Sequence, residues 1–434
     1  MFESPILLLL FGVAIMIGLI GLHFPVGVSM AVTGLVMFAL QVDIQAAFGT
    51  ISAEVVAAFT SRDLVTIPLF LLMGSLAARA GIASDIYNLA SAWIGHLRGG
   101  LAMGTVVGCG GFGALCGSSV ATAATMGRVA LPEMRARGYA PELGVGSIAS
   151  GGTLGILIPP SIVMVIYAVL TEQFVLDLFM AGIIPGLLAI FLYCAAIFIV
   201  TRLRPEAGPA FAPQPWSMRF RAVLGAWRAV VVIFLVIGGL YSGVFTVVEA
   251  ASVGVGITAL FFLAHFRSSE WMSQLREVAV EVGQSTAMIF LMVIGANLFS
   301  YFLTLTQAPQ ELITIVEEAN LSPYVVIAIL MLMYLFLGAV FDAIAAMILT
   351  TPFVYPLIVG LGFDPIWWGV VLVMVIEIGM ISPPIGMNVF VLNGVARDIP
   401  LRTIYRGIMP FLCADVVRLI IIIAFPALAL MLLP

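Results

Sequence analysis

The stretch Gly151-Gly152-Thr153-Leu154-Gly155-Ile156-Leu157-Ile158-Pro159-Pro160-Ser161-Ile162 lies inside an apolar run otherwise long enough to cross a bilayer. Proline lacks a backbone donor and disfavours helical geometry in the residue before it, so a helix entering this run must break at the proline pair. Lipid cannot satisfy the amide and carbonyl groups freed by such a break. The backbone survives there only where protein buries it or where it lines a cavity, which makes the break a candidate binding site. The same grammar returns at Glu377-Ile378-Gly379-Met380-Ile381-Ser382-Pro383-Pro384-Ile385-Gly386-Met387-Asn388.

Each copy follows a second irregular spot, Gly117-Ser118-Ser119 before the first and Gly338-Ala339-Val340-Phe341-Asp342 before the second. Gly117 precedes Pro159 by 42 residues and Gly338 precedes Pro383 by 45, while Pro132 and Pro352 follow the two spots by 15 and 14 residues. Matched landmarks at matched spacing imply an internal duplication. Paired interrupted segments in two halves of a chain point to the central site of a secondary transporter.

With 63% hydrophobic and 9% charged residues, a soluble multidomain protein is excluded, and the chain reads as an all-α polytopic membrane protein. Cys109, Cys116, Cys194 and Cys413 lie in apolar surroundings without CxxC spacing and read as buried free thiols. Residues 5–22 lack a basic leading region and a small-residue cleavage site, so they read as a retained first span.

Ten spans of about 20 apolar residues fall near 4–22, 25–41, 63–79, 143–171, 178–200, 223–243, 246–266, 283–305, 366–391 and 404–432. Two further stretches, 100–134 and 323–360, read as re-entrant hairpins with tips at the Gly117 and Gly338 spots. Residues 1–204 then form a first repeat, 205–222 a connector, and 223–434 a second repeat of opposite orientation, with 143–171 and 366–391 as the broken spans. All 17 basic residues are arginine, and Arg202, Arg204, Arg219 and Arg221 place the connector in the cytoplasm. Threading outward from it keeps Arg79, Arg98, Arg128, Arg135, Arg137 and Arg276 on that side and puts both termini outside. The segment from Ser268 to Val282, with Glu270 and Arg276 among Trp271, Met272, Leu275, Val278, Ala279 and Val282 at helical spacing, reads as an amphipathic surface helix.

In such an inverted repeat, half-helices starting after Ser119, Pro160, Asp342 and Pro384 point positive ends inward, which suits a carboxylate. Those ending at the breaks offer carbonyl oxygens, which suits a monovalent cation. The neutral oxygens of Ser118, Ser119, Thr153, Ser161 and Ser382 make Na+ the fitting ion. The substrate candidates are Ser118, Ser119, Ser161, Asn297, Ser300 and Asn388. The Na+ candidates are Gly117, Ser118, Thr153, Pro159, Gly338, Asp342, Ser382 and Pro383. For Asp342 a cation contact and a helix cap stand as equal alternatives. Glu377 reads as structural, and Asp415 and Arg418, three apart, as mutually neutralising. Arginine is scarce in this set, which implies modest intrinsic affinity and capture of the substrate elsewhere. No Ser/His pair or metal-ligand cluster shares one depth, so the chain is not read as an enzyme.

The pair GGTLGILIPPSI and SPPIGMNVFVLNGVA, with the GSS and GxxxD hairpin tips, resembles the large membrane subunit (M or DctM type) of tripartite ATP-independent periplasmic (TRAP) transporters over essentially the whole chain. The resemblance implies an elevator-type secondary transporter of the bacterial inner membrane, with Na+ as coupling ion and no covalently bound cofactor. It also implies a small four-span membrane subunit (Q type) and a periplasmic substrate-binding protein (P type) that delivers an organic acid such as a C4-dicarboxylate or sialic acid. Carried over, the site is Gly117, Ser118 and Ser119 with Pro159 and Pro160, and Gly338 and Asp342 with Ser382, Pro383 and Pro384. A separate small subunit is expected, because the chain starts directly with its first span. Lipid surrounds it and nucleic acid plays no part. The alternative is a stand-alone inverted-repeat anion symporter, a proton-coupled one included, that needs no binding protein.

Overall fold

The computed structural model describes residues 5–266 and 271–433. Those residues form helices joined by short connections, with no strand among them. The first half runs through α1 (Pro5–Gly21), α2 (Val26–Gln41), α3 (Ile44–Thr60), α4 (Arg62–Arg79), α5 (Ile82–Ile94), α6 (Gly100–Cys116), α7 (Ser119–Ala136), α8 (Pro141–Leu157), α9 (Ile162–Thr171) and α10 (Val175–Leu203). After the proline-rich connector come α11 (Trp216–Gly225), then α12 (Trp227–Ile233), which passes through a π-helical turn, Phe234–Gly238, into α13 (Gly239–Tyr241). There follow α14 (Val247–His265), α15 (Trp271–Thr306), α16 (Ala308–Glu318), α17 (Pro323–Val340), α18 (Ala343–Gly360), α19 (Pro365–Ile381), α20 (Met387–Val395), α21 (Leu401–Ala424) and α22 (Ala427–Leu430).

Local chemistry accounts for the boundaries. Asp43 accepts from the amides of Gln45 (2.9 Å) and Ala46 (3.3 Å) to start α3. Ser61 accepts from Leu64 (3.3 Å) to start α4. A residue in extended geometry between two helices turns the chain, here by 56°. At α14 the Thr246 and Glu249 side chains cap each other's backbone reciprocally.

Among the described residues seven helical segments are long and apolar enough to cross a membrane, and up to nine if α3 with α4 and α11 with the Trp227–Tyr241 helix each count as one bent span. The ten expected spans do not carry over one for one. The stretches 4–22 and 25–41 yield helices of 17 and 16 residues, which at about 1.5 Å per residue fall short of a core about 30 Å thick. Both arms of the second hairpin, α17 and α18, are among the seven.

The surface helix expected over 268–282 is corrected. Ser268 and Glu270 lie outside the described residues, and from Trp271 the chain runs without a break into the following span as a helix of 36 residues. No proline interrupts it, and Gly283 alone does not stop a helix with good formers on either side.

The core is built around α8 and α19, in which every residue from Leu143 to Leu157 and from Trp367 to Ile381 is buried. The first hairpin, α6 and α7, packs on α8, while α17 and α18 pack on α19. Helices α10 and α21 pack against each other and against both central helices. At the periphery α2 lies along α15 and α4 along α14. Glycines make the first of these crossings close: a Cβ on Gly27 would lie 2.7 Å from the Leu291 carbonyl oxygen, and one on Gly34 2.5 Å from that of Leu298.

Candidate functional site

Helix α6 ends at Gly117, whose φ of 62° is the left-handed conformation that glycine adopts without strain. Its amide bonds back to Gly113 O at 2.8 Å. Ser118 then starts α7 by accepting from the Ala121 amide at 3.4 Å. A Cβ on Gly117 would lie 3.3 Å from the Pro160 carbonyl oxygen, so this tip rests directly on the break between α8 and α9. At that break Ser161 does two jobs: it accepts from the Met164 amide at 3.3 Å to cap α9, and it donates to the Ile156 carbonyl freed at the end of α8. Thr153 donates to Ser150 O at 2.7 Å within α8. The Pro159-Pro160 and Pro383-Pro384 peptides are both cis.

At the second tip α17 continues past Gly338 to Val340, and the turn is Phe341-Asp342. The turn thus falls at the end of the expected Gly338–Asp342 spot, and Gly338 itself lies within α17. It is a crossing residue, where a Cβ would lie 2.8 Å from Ile376 O and 3.3 Å from the Gly379 Cα of α19. Asp342 caps α18, its Oδ1 accepting from Ile344 (2.9 Å) and Ala345 (3.2 Å). Tip and break are bonded, Gly386 N donating to Ala339 O at 3.0 Å. Ser382 donates to Ile378 O at 2.6 Å, and Tyr405 donates to Ile385 O at 2.6 Å and Pro384 O at 3.2 Å. The breaks differ in cover: Pro159 and Pro160 are buried, whereas Pro383, Pro384 and Ile385 are exposed.

Near the breaks, two of the contacts between the halves stand out. Ser119 of the first tip reaches Met380 Sδ at 3.6 Å, just ahead of the second break, and Asn388 Nδ2 donates to Ala149 O of α8 at 3.3 Å. Asn388 is fully buried and its Oδ1 has no partner among the described residues.

Asn297 and Ser300 do not join this group. The Asn297 amide donates to Glu54 of α3 at 2.7 Å, and Tyr301 donates to the other oxygen of that carboxylate at 2.8 Å. Glu54 is 9% exposed, and a carboxylate so buried draws in whatever donors its neighbours offer. Ser300 sits beside this pair, half-buried on the same helix.

A cleft of about 700 Å³ opens between the first tip and the peripheral helices, lined by Ser75, Arg79, Ser118, Thr125, Arg128 and Glu281 among others. Arg79 is spoken for: it donates to Gln274 (2.6 Å) and Glu277 (2.7 Å) and pairs with Glu281 at 3.4 Å. Arg128 is exposed on the Ser118 face of α7. Two guanidinium groups, Arg79 and Arg128, thus stand on the cleft wall, brought together by the folding of α4 and α7. Arg228, lying within the expected span 223–243, bonds Asp85 at 2.7 Å and the Ala80 carbonyl at 2.8 Å, tying the second half to α5.

The pairing of Asp415 with Arg418 holds at 2.9 Å but is not exclusive. Arg418 also binds Glu377 at 3.0 Å, and Tyr193 donates to both Asp415 oxygens at 2.8 Å. No three His, Cys, Asp or Glu side chains gather as a metal site among the described residues. A cation at the tips would rest on carbonyl and hydroxyl oxygens with Asp342.

Residues 13–428 match the family model described as the DctM component of tripartite ATP-independent periplasmic transporters. The chain is 38% identical over 368 residues to the C4-dicarboxylate TRAP transporter large permease protein DctM of Pseudomonas aeruginosa, covering 85% of each. It is 30% identical over 418 residues to the sialic acid TRAP transporter large permease protein SiaM of Vibrio cholerae, covering 96% of each. The YdaH transporter of Alcanivorax borkumensis shares the fold, with a TM-score of 0.64 at 14% identity over 93% of this chain and 98% of that one. With paired broken helices, hairpins seated on them and this match over nearly its whole length, the chain belongs to the DctM family of large permease subunits of TRAP transporters.

Proposed function

We propose that this permease imports a carboxylate-bearing organic acid in symport with Na+, and that the substrate is handed over by a periplasmic binding protein. A small four-span membrane subunit completes the complex in the bacterial inner membrane, with the arginine-rich end in the cytoplasm. The observation that carries the reading is the cleft ending at the first hairpin tip, whose wall is lined by Ser118 at the start of α7 and by Arg128 farther along that helix. A helix start and a guanidinium on one wall favour an anion. Na+ would bind among the oxygens around Asp342 and the breaks. In this reading the two halves form an inverted repeat, α6 to α9 with α17 to α20 make the moving body, and α2, α4, α14 and α15 form the frame it slides against.

The test is uptake of labelled organic acids into proteoliposomes holding this chain and its small partner, with and without the cognate soluble protein and an inward Na+ gradient. Accumulation that needs both additions supports the proposal and identifies the substrate. Accumulation without the soluble protein assigns a stand-alone symporter instead, and uptake indifferent to Na+ removes the cation assignment.

A further inference from the structure

Deep between α10, α19 and α21, away from the tips, lie four polar side chains with almost no exposed surface: Tyr193 at 0%, Glu377 at 0%, Arg418 at 0% and Asp415 at 1%. One guanidinium faces two carboxyl groups. With both carboxyls ionised the cluster would carry a net negative charge inside an apolar core, an arrangement far costlier than a neutral one. Among the described residues no other helix places a charge beside the cluster: α10, packed on α19 and α21, carries only Asp177 and Arg202, in its first and last turns. The charged groups acting on Glu377 are Arg418 and Asp415, both from α21. Helices α9, α17, α18 and α20 contain no charged residue, and the only one in α8 is Glu142 in its first turn.

The hydrogen bonds separate the two acids. Asp415 receives the single Tyr193 hydroxyl proton, shared between its two oxygens at 2.8 Å, and stands 2.9 Å from Arg418 Nη2, so a donor and a cation both favour its anion. Glu377 accepts only at Oε2, from Arg418 at 3.0 Å, and Oε1 has no partner among the described residues. Oxygen Oε1 is therefore where a proton would sit. We infer that Glu377 is a resident proton site: it is held as the neutral acid, protonated on Oε1, while Arg418 and Asp415 form the charged pair. The cluster is then neutral and fastens α10, α19 and α21 together, with Glu377 standing five residues ahead of Ser382 at the second break. None of the four side chains lines the cleft at the first tip.

The tests use the complete chain purified with its membrane partner at neutral pH. Glu377→Gln mimics the neutral acid and keeps the melting temperature within about 2 °C of the parent, whereas Asp415→Asn lowers it by about 5 °C or more. In infrared difference spectra the carbonyl stretch of a protonated carboxylic acid disappears in Glu377→Gln and persists in Asp415→Asn. If Asp415→Asn does not fold, the Glu377→Gln spectrum alone decides. Proteoliposome uptake by Glu377→Gln stays within about twofold of the parent, a factor worth about 0.4 kcal/mol. Equal destabilisation by the two variants, a protonated-acid band that survives Glu377→Gln, or a tenfold loss of uptake would each overturn the inference. Loss of a Na+-dependent rise in melting temperature in Glu377→Gln would overturn it in favour of a cation at the same oxygen.

Discussion

Substituting Gly155 by alanine tests how the first hairpin is seated on α8. A Cβ at this position would lie 2.8 Å from the Ser118 carbonyl oxygen and 2.7 Å from Thr122 Oγ1. Neither atom can swing away, because one is backbone and the other is held to it by a 2.7 Å hydrogen bond from Thr122 to Ser118 O. Regaining ordinary contact at 3.4 Å forces the tip back by about 0.6 Å. Overpacking of this kind costs about 1–3 kcal/mol, and exchanging a helical glycine for alanine returns about 0.8–1 kcal/mol. The expected net loss is therefore about 0–2 kcal/mol, accompanied by a displaced Ser118 cap. The assay pairs thermal melting of the purified complex with uptake in proteoliposomes. Gly18, exposed on α1 with nothing within 4 Å of an added Cβ, is the control and should tolerate alanine without loss. Repeating Gly155→Ala in a Thr122→Ala background should recover part of the loss but not all, since the Ser118 oxygen remains in the way. A Gly155→Ala protein that melts at or above the parent temperature and transports at the parent rate would refute this account of the seating.

Asp342→Asn should preserve the α18 cap, because asparagine caps helices as well as aspartate, yet lose Na+-dependent uptake; the check is initial rate against external Na+ at matched expression. Glu54→Gln sets an amide donor against the Asn297 amide and the Tyr301 hydroxyl, with an expected cost of about 1–3 kcal/mol. Its melting temperature should fall while the Na+ dependence of uptake is unchanged. The hydrogen bond from Arg135 to Asp398 holds that exposed carboxyl below its usual range. Its stabilising contribution is present above the unfolded carboxylate pKa and fades as the pH falls through the lower folded value. The melting difference between Asp398→Asn and the parent should thus be larger at neutral pH than in strong acid.

What the sequence made legible is local chemistry. A proline pair stops a helix wherever it falls, so both breaks could be read from Pro159-Pro160 and Pro383-Pro384, and Gly117 marked the first tip because a left-handed glycine ends a helix. At the second tip spacing alone could not separate a glycine needed for a turn from one needed for a crossing, and Gly338 proved to be the latter. The apolar periodicity from Trp271 to Val282 fits a surface helix and the first turns of a long span equally well, because both present one apolar face. Pairings such as Asn297 with Glu54 or Arg418 with Glu377 join residues 243 and 41 positions apart. Nothing in either neighbourhood marks them, apart from the rarity of a charged side chain in an apolar helix. Arg228, inside the expected span 223–243, carries that same signal.

The close approach of α2 to α15 has a consequence for how this protein can vary. At Gly27, Gly34 and Gly295 the main chain of one helix meets that of the other, leaving no room for a methyl group. A saturation library would find these sites intolerant even of alanine, while exposed neighbours such as Val32 and Val36 accept most aliphatic residues. By hydropathy such changes look harmless; by volume they are prohibitive. Drift in this part of the chain is therefore expected to be filtered by side-chain size before polarity.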